Sequence, residues 1–212
     1  GLIRSGRSGL SAGRKEGERG LKENFLYDYK KELTDAIWQV DEEVFREAVR
    51  ILYQAWREDR QVFIMGNGGS AGTANHFVCD FGKNAVQGDG RRRFRVISLC
   101  DNVEKITALG NDFCFEEIFR FQLGNLMNEG DVLISVSASG NSPDLVRACQ
   151  YAREKGAKQI VLAGFNGGAI REFADAAFVV PLESYERIED VHLNILHMLV
   201  EYFKKSPELF AE

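Results

Sequence analysis

The stretch VFIMGNGGS, residues Val62 to Ser70, decides the fold. Its first four residues, Val62 to Met65, are a continuous apolar run, and they enter a glycine-rich turn, Gly66 to Ser70, without a break. A short apolar run bounded by glycine suits a strand buried on both faces, and such a turn suits a strand that leads into a helix. Working outward, β-rich runs of the same kind recur at Phe94–Leu99, Val132–Val136, Gln159–Ala163 and Ala177–Val180, with amphipathic segments between them. Five strands separated by helices predict an α/β protein, a three-layer αβα sandwich around a five-stranded parallel sheet. Ahead of it, Ile37, Val40, Val44, Phe45, Ala48, Ile51, Leu52 and Trp56 recur at helical spacing and predict two helices within residues 24–60, joined near Asp41. A last helix is expected over Glu186–Lys205.

Size and composition narrow the function. At 212 residues the chain fits one domain with a full core, expected over residues 23–212. Residues 1–22 are rich in Gly, Ser, Arg and Lys and are expected to be a flexible basic tail or an expression remnant. Hydrophobic residues make up 44%, with no apolar stretch near the ~20 residues a membrane helix needs, so no membrane span is expected. A net charge of -5 argues against a nucleic-acid surface, and Arg91-Arg92-Arg93 is expected in a solvated loop. Cys79, Cys100, Cys114 and Cys149 form no C-x-x-C pair, and no secretory signal is recognisable. Reduced thiols in a cytoplasmic protein are the expectation.

In open parallel sheets, ligands bind beyond the carboxyl ends of the strands. Two turns fall there: Gly66-Asn67-Gly68-Gly69-Ser70 and Ser137-Ala138-Ser139-Gly140-Asn141-Ser142. Glycine lets the backbone approach a ligand, while Ser and Asn offer hydroxyls and amides to an anion at a helix N-terminus. Pro143 suits the first turn of the following helix. The second turn lacks the lysine of a triphosphate-binding loop, so a phosphate monoester is the better match.

All three histidines lie in two motifs. His76 and Asp80 are four residues apart and face the same way on a helix. Glu189 and His197 are eight apart and share a face of the last helix. Two imidazoles and two carboxylates from two helices suit a tetrahedral site for zinc or another divalent metal. His192 is offset from His197 by about 140° around the helix, which makes it a structural residue pointing elsewhere.

The segments GNGGSAGTANHF, LCDN followed by GNDF, SVSASGNSPDLVRA, LAGFNGGAIREFAD and RIEDVHLNILHML resemble the sugar isomerase (SIS) domain family, and within it the phosphoheptose isomerases. The resemblance runs from roughly Asn24 to the C-terminus and implies a flavodoxin-like SIS fold. It implies that Ser137, Ser139 and Ser142 hold the substrate phosphate and that Asn67 and Ser70 contact the sugar. It also implies that Asp101 lines the site, that His76, Asp80, Glu189 and His197 bind zinc, and that Asp80 and His197 move protons. The implied activity is isomerisation of sedoheptulose 7-phosphate to a D-glycero-heptose 7-phosphate for surface polysaccharide, by a homotetramer with sites between subunits.

This chain departs from the family pattern at four positions. Asp80 and Glu189 stand where better-known members have Glu and Gln, Ala138 replaces a threonine, and Glu186 replaces an Asp. Ala138 and Glu189 keep open an isomerase for another sugar phosphate. A non-catalytic SIS module, binding a phosphosugar or a replication initiator, is the other alternative, and it would have no need of both histidines and both carboxylates.

Overall fold

The computed structural model describes residues 24–211, so the tail expected over residues 1–22 lies outside it. The predicted helices before the sheet are α1 (Phe25–Trp38) and α2 (Glu42–Arg57). They break where Asp41 caps α2, its carboxylate accepting from the backbone N–H of Glu43 and Val44 at 2.8 and 3.1 Å.

The chain then alternates strand and helix: β1 (Gln61–Gly66), α3 (Gly69–Asn84), β2 (Arg95–Ser98), α4 (Val103–Asp112), α5 (Ile118–Leu126), β3 (Val132–Ser137), α6 (Pro143–Glu154), β4 (Lys158–Gly164), β5 (Ala176–Val180) and α7 (Tyr185–Lys204). The sheet is parallel throughout, in the order β2-β1-β3-β4-β5. All six residues of β3 are buried, as a central strand covered on both faces requires. Each expected strand is present. β2 is shorter than Phe94–Leu99 by one residue at each end; both end residues are buried, and the Leu99 N–H still donates to Ile64 O at 2.9 Å.

Because β1 leads to β2 on one side and β3 leads to β4 on the other, the strand order reverses between β1 and β3. A cleft opens at such a switch point, at the carboxyl ends of the strands. The first crossover puts α3 on one face, where it packs against α7, and the second puts α6 against α5 on the other. Phe81 of α3, Phe203 of α7, Phe94 and Phe210 interlock there, with ring centroids 4.4 to 6.0 Å apart. This aromatic layer holds α3 and α7 side by side, and those two helices carry the histidine motifs.

α1 contrasts with the rest. Among its residues only Ala36 is buried, while Phe25, Leu26 and Tyr27, and Trp38 at 84% exposure, lie open.

Candidate active site

α3 and α7 bring three of the four expected ligands to one point. His76 and Asp80 are neighbours one turn apart on α3, with His76 Nε2 3.0 Å from Asp80 Oδ2. His197 reaches across from α7, placing its Nε2 3.5 Å from the same oxygen and 3.4 Å from His76 Nε2. The rings meet edge to face, with centroids 5.0 Å apart at 73°. Three donor atoms on a triangle of this size match the ~3.3 Å edge of a tetrahedron whose ligands lie about 2.0 to 2.1 Å from zinc. The residues therefore fit a divalent metal, with one coordination position left over. Both histidines are about half exposed, so a ligand can approach.

Glu189 is not in this group. It shares a face of α7 with His197 but stands about 12 Å away along the axis, at 1.5 Å per residue. Its carboxylate lies over Gly69, at the N-terminus of α3: a Cβ added there would sit 2.8 Å from Glu189 Cδ. A carboxylate suits the positive end of a helix. Burial raises the Glu189 pKa, with the charges of Glu186 and Asp190 adding to the effect.

His192 faces the core as expected, fully buried on α7, and burial lowers its pKa to about 4 against a smaller opposing effect from the Ala163 carbonyl. With that pKa the ring is uncharged at pH 7, and neither nitrogen makes a well-formed hydrogen bond.

The serine-rich turn after β3 wraps the N-terminus of α6. Ser137 Oγ accepts from the Gly140 N–H at 3.1 Å and Ser139 Oγ from the Asn141 N–H at 3.3 Å, which leaves both hydroxyl protons to donate. Ser142 is the N-cap of α6 yet its side chain makes no capping bond. Three hydroxyls and a helix N-terminus thus stand ready for an anion. The turn is braced from behind by the loop after β4. Ile170 N–H donates to Gly140 O at 3.0 Å and Ala169 N–H to Asn141 Oδ1 at 2.9 Å. Gly140 has φ 65, and a Cβ there would collide with the Gly167 carbonyl, so only glycine fits.

Ser70 is buried in the first turn of α3, and Asp101 is exposed in the turn after β2. Asn67 crosses the switch point, its Nδ2 donating to Asp144 Oδ2 at 2.8 Å. Sequence reasoning missed Asp144, which looks like an ordinary first-turn helix acid but is only 1% exposed. The segment LAGFNGGAIREFAD, quoted for its resemblance alone, carries the bracing loop, and its signal was the glycine pair Gly167-Gly168.

Comparison with known proteins places this geometry among relatives. The SIS domain family matches residues 26–164. A phosphoheptose isomerase from Pelobacter propionicus is 39% identical over 161 residues, covering 76% of this chain and 82% of that one. The solved phosphoheptose isomerase of Neisseria gonorrhoeae superposes with a TM-score of 0.77 at 27% identity, covering 85% of this chain and 95% of the other. That of Francisella tularensis gives 0.76 at 25% identity, over 86% and 95%.

Proposed function

The chain belongs to the SIS domain family and, within it, to the phosphoheptose isomerases, and from that premise we propose that it interconverts sedoheptulose 7-phosphate and D-glycero-heptose 7-phosphate. The observation that carries the reading is that one fold brings His76, Asp80 and His197 together across α3 and α7 and also sets three serine hydroxyls at the N-terminus of α6. One feature suits proton transfer and the other suits a phosphate. A purely sugar-binding role would leave the convergence without a purpose.

In this reading Ser137, Ser139 and Ser142 hold the phosphate at the start of α6. Asn67 and Ser70 contact the sugar chain as it passes the switch point, and Asp101 lines the cleft. Conversion of ketose to aldose takes a proton from C1 and adds one to O2, giving the enediol. The O1 proton then leaves and C2 gains one, so the carbonyl has moved from C2 to C1 with no net change in atoms. Asp80 and His197 share these transfers, each well-placed acid or base contributing about 10²- to 10⁴-fold. The two oxygens of Asp80 point different ways, Oδ2 towards the imidazoles and Oδ1 away from them, 3.9 Å from Lys83 Nζ.

His76, Asp80 and His197 would hold a zinc ion or a similar divalent metal. When bound, it polarises the substrate's carbonyl and hydroxyl oxygens, an effect of several kcal/mol on the transition state. Glu189, held at the start of α3, faces the substrate side.

The exposed Phe25, Leu26, Tyr27 and Trp38 of α1 support a homotetramer assembled through the N-terminal helices. The four free thiols fit a reducing compartment, the cytoplasm.

Proton NMR in D₂O tests the proposal. Sedoheptulose 7-phosphate should give way to an aldose anomeric signal, with deuterium entering at C2. Unchanged ketose, with no exchange at C1, would refute it.

A further inference from the structure

Asp144 is an unexpected residue to find buried. At the second position of α6 a carboxylate normally faces water and gains from the helix dipole. Here it is 1% exposed and turned into the switch point, where its side-chain partner is Asn67 Nδ2 at 2.8 Å. Burial raises its pKa, opposed by the Asn67 hydrogen bond and by the backbone N–H groups of Leu145 and Asp144 itself. Asp131, the other buried aspartate, has a plain structural role, accepting from the backbone N–H of Gln61 and Asn128 at 2.9 and 2.7 Å. Asp144 instead holds the side chain of a turn that faces the cleft. It does so beside the serine loop, where one more negative charge opposes the binding of a phosphate. Desolvation and repulsion both count against this carboxylate, and neither is needed to start a helix that already has Pro143 in its first turn.

What a carboxylate offers that other side chains do not is one-way hydrogen bonding. Ionised Asp only accepts, whereas an amide both donates and accepts. We propose that Asp144 is a positioning residue that fixes the orientation of the Asn67 amide, committing Nδ2 to itself and leaving Oδ1 to accept from a substrate hydroxyl. The orientation of an asparagine is otherwise free to reverse, and a reversed Asn67 would present a donor where the sugar needs an acceptor. The inference rests on the phosphosugar reading above, since Asn67 is a substrate contact only if the cleft takes a sugar chain.

A double-mutant cycle on the full-length protein tests it, with kcat and KM for sedoheptulose 7-phosphate measured for Asn67→Ala, Asp144→Ala, Asp144→Asn and the double variant Asn67→Ala/Asp144→Ala. Each single alanine variant should lower kcat/KM about tenfold, the scale of one hydrogen bond to a ligand. The double variant should lose no more than Asn67→Ala alone, because Asp144 acts through Asn67. Asp144→Asn should lose about two- to fivefold, since both amide orientations become open. That loss separates positioning from charge: removing a negative charge beside the phosphate loop would by itself improve binding.

Losses that multiply in the double variant, wild-type kcat/KM in Asp144→Ala, or a gain in Asp144→Asn would each overturn the proposal. If circular dichroism shows Asp144→Ala unfolded, the cycle is run with Asp144→Asn, and multiplying losses overturn the proposal in the same way. A wild type that does not turn over sedoheptulose 7-phosphate refutes the function alone. The cycle is then read by calorimetry with fructose 6-phosphate, where non-additive losses of affinity support the positioning role. Additive losses, or no binding by the wild type, overturn it.

Discussion

The Nε2 atoms of His76 on α3 and His197 on α7 stand 3.4 Å apart, with Asp80 Oδ2 within 3.5 Å of both. Two imidazole nitrogens this close cannot both carry a proton pointed at the other, so at least one presents a lone pair to the shared point. A cation or a shared proton satisfies all three groups together. The aromatic layer of Phe81, Phe94 and Phe203 keeps the two helices at this separation, which links the packing of one face of the sheet to the chemistry its helices carry.

Zinc should therefore stabilise the fold through this cluster. After chelation, adding zinc to about 100 times its dissociation constant should stabilise the protein by about 2.7 kcal/mol, seen as a rise in the thermal midpoint. His76→Ala should remove the rise. An equal rise in that variant would place the metal elsewhere.

His197→Gln should cut kcat by about 100-fold or more, the usual contribution of a positioned acid or base. Because His197 is half exposed, the variant and the wild type should have the same thermal midpoint when both are compared free of metal. Near-normal turnover would remove His197 from proton transfer.

Ser137→Ala with Ser139→Ala should act on binding. In the proposed reading the two hydroxyls hold a group that does not react, so KM should rise about tenfold or more while kcat changes much less. A large fall in kcat with KM unchanged would mean that the serines act at the reacting carbons instead.

His192 predicts a pH dependence of stability. Its pKa is lowered from 6.5 to about 4 in the folded chain, so between those values the unfolded chain binds more protons. Stability should fall as pH drops from about 6.5 towards 4, by about 3 kcal/mol from this residue at most. Urea denaturation across that range should show a shallower slope for His192→Leu than for the wild type. Parallel slopes would contradict the burial assigned to it.

Much of this was legible before any coordinates, for physical reasons that differ by element. The strands showed because a parallel sheet covered on both faces needs nearly continuous apolar runs, and Val62–Met65 and Val132–Val136, broken only by Ser135, are such runs. His76 and Asp80 showed because one helical turn fixes their proximity locally. The position of Glu189 did not show. A shared helix face says nothing about position along the axis, and only the packing of α7 on α3 sets its carboxylate over Gly69. Asp144 was hidden for a related reason, since its burial depends on β1 and β3 being neighbours, a contact between distant parts of the chain.

The central claim, isomerisation at the His76, Asp80 and His197 cluster, is tested most directly by one assay. Turnover of sedoheptulose 7-phosphate is measured on the protein as isolated, after chelation, and after zinc is restored. The account predicts activity that falls on chelation and returns with zinc in the wild type, with no recovery in His76→Ala. Full activity without metal, or equal recovery in His76→Ala, would contradict it.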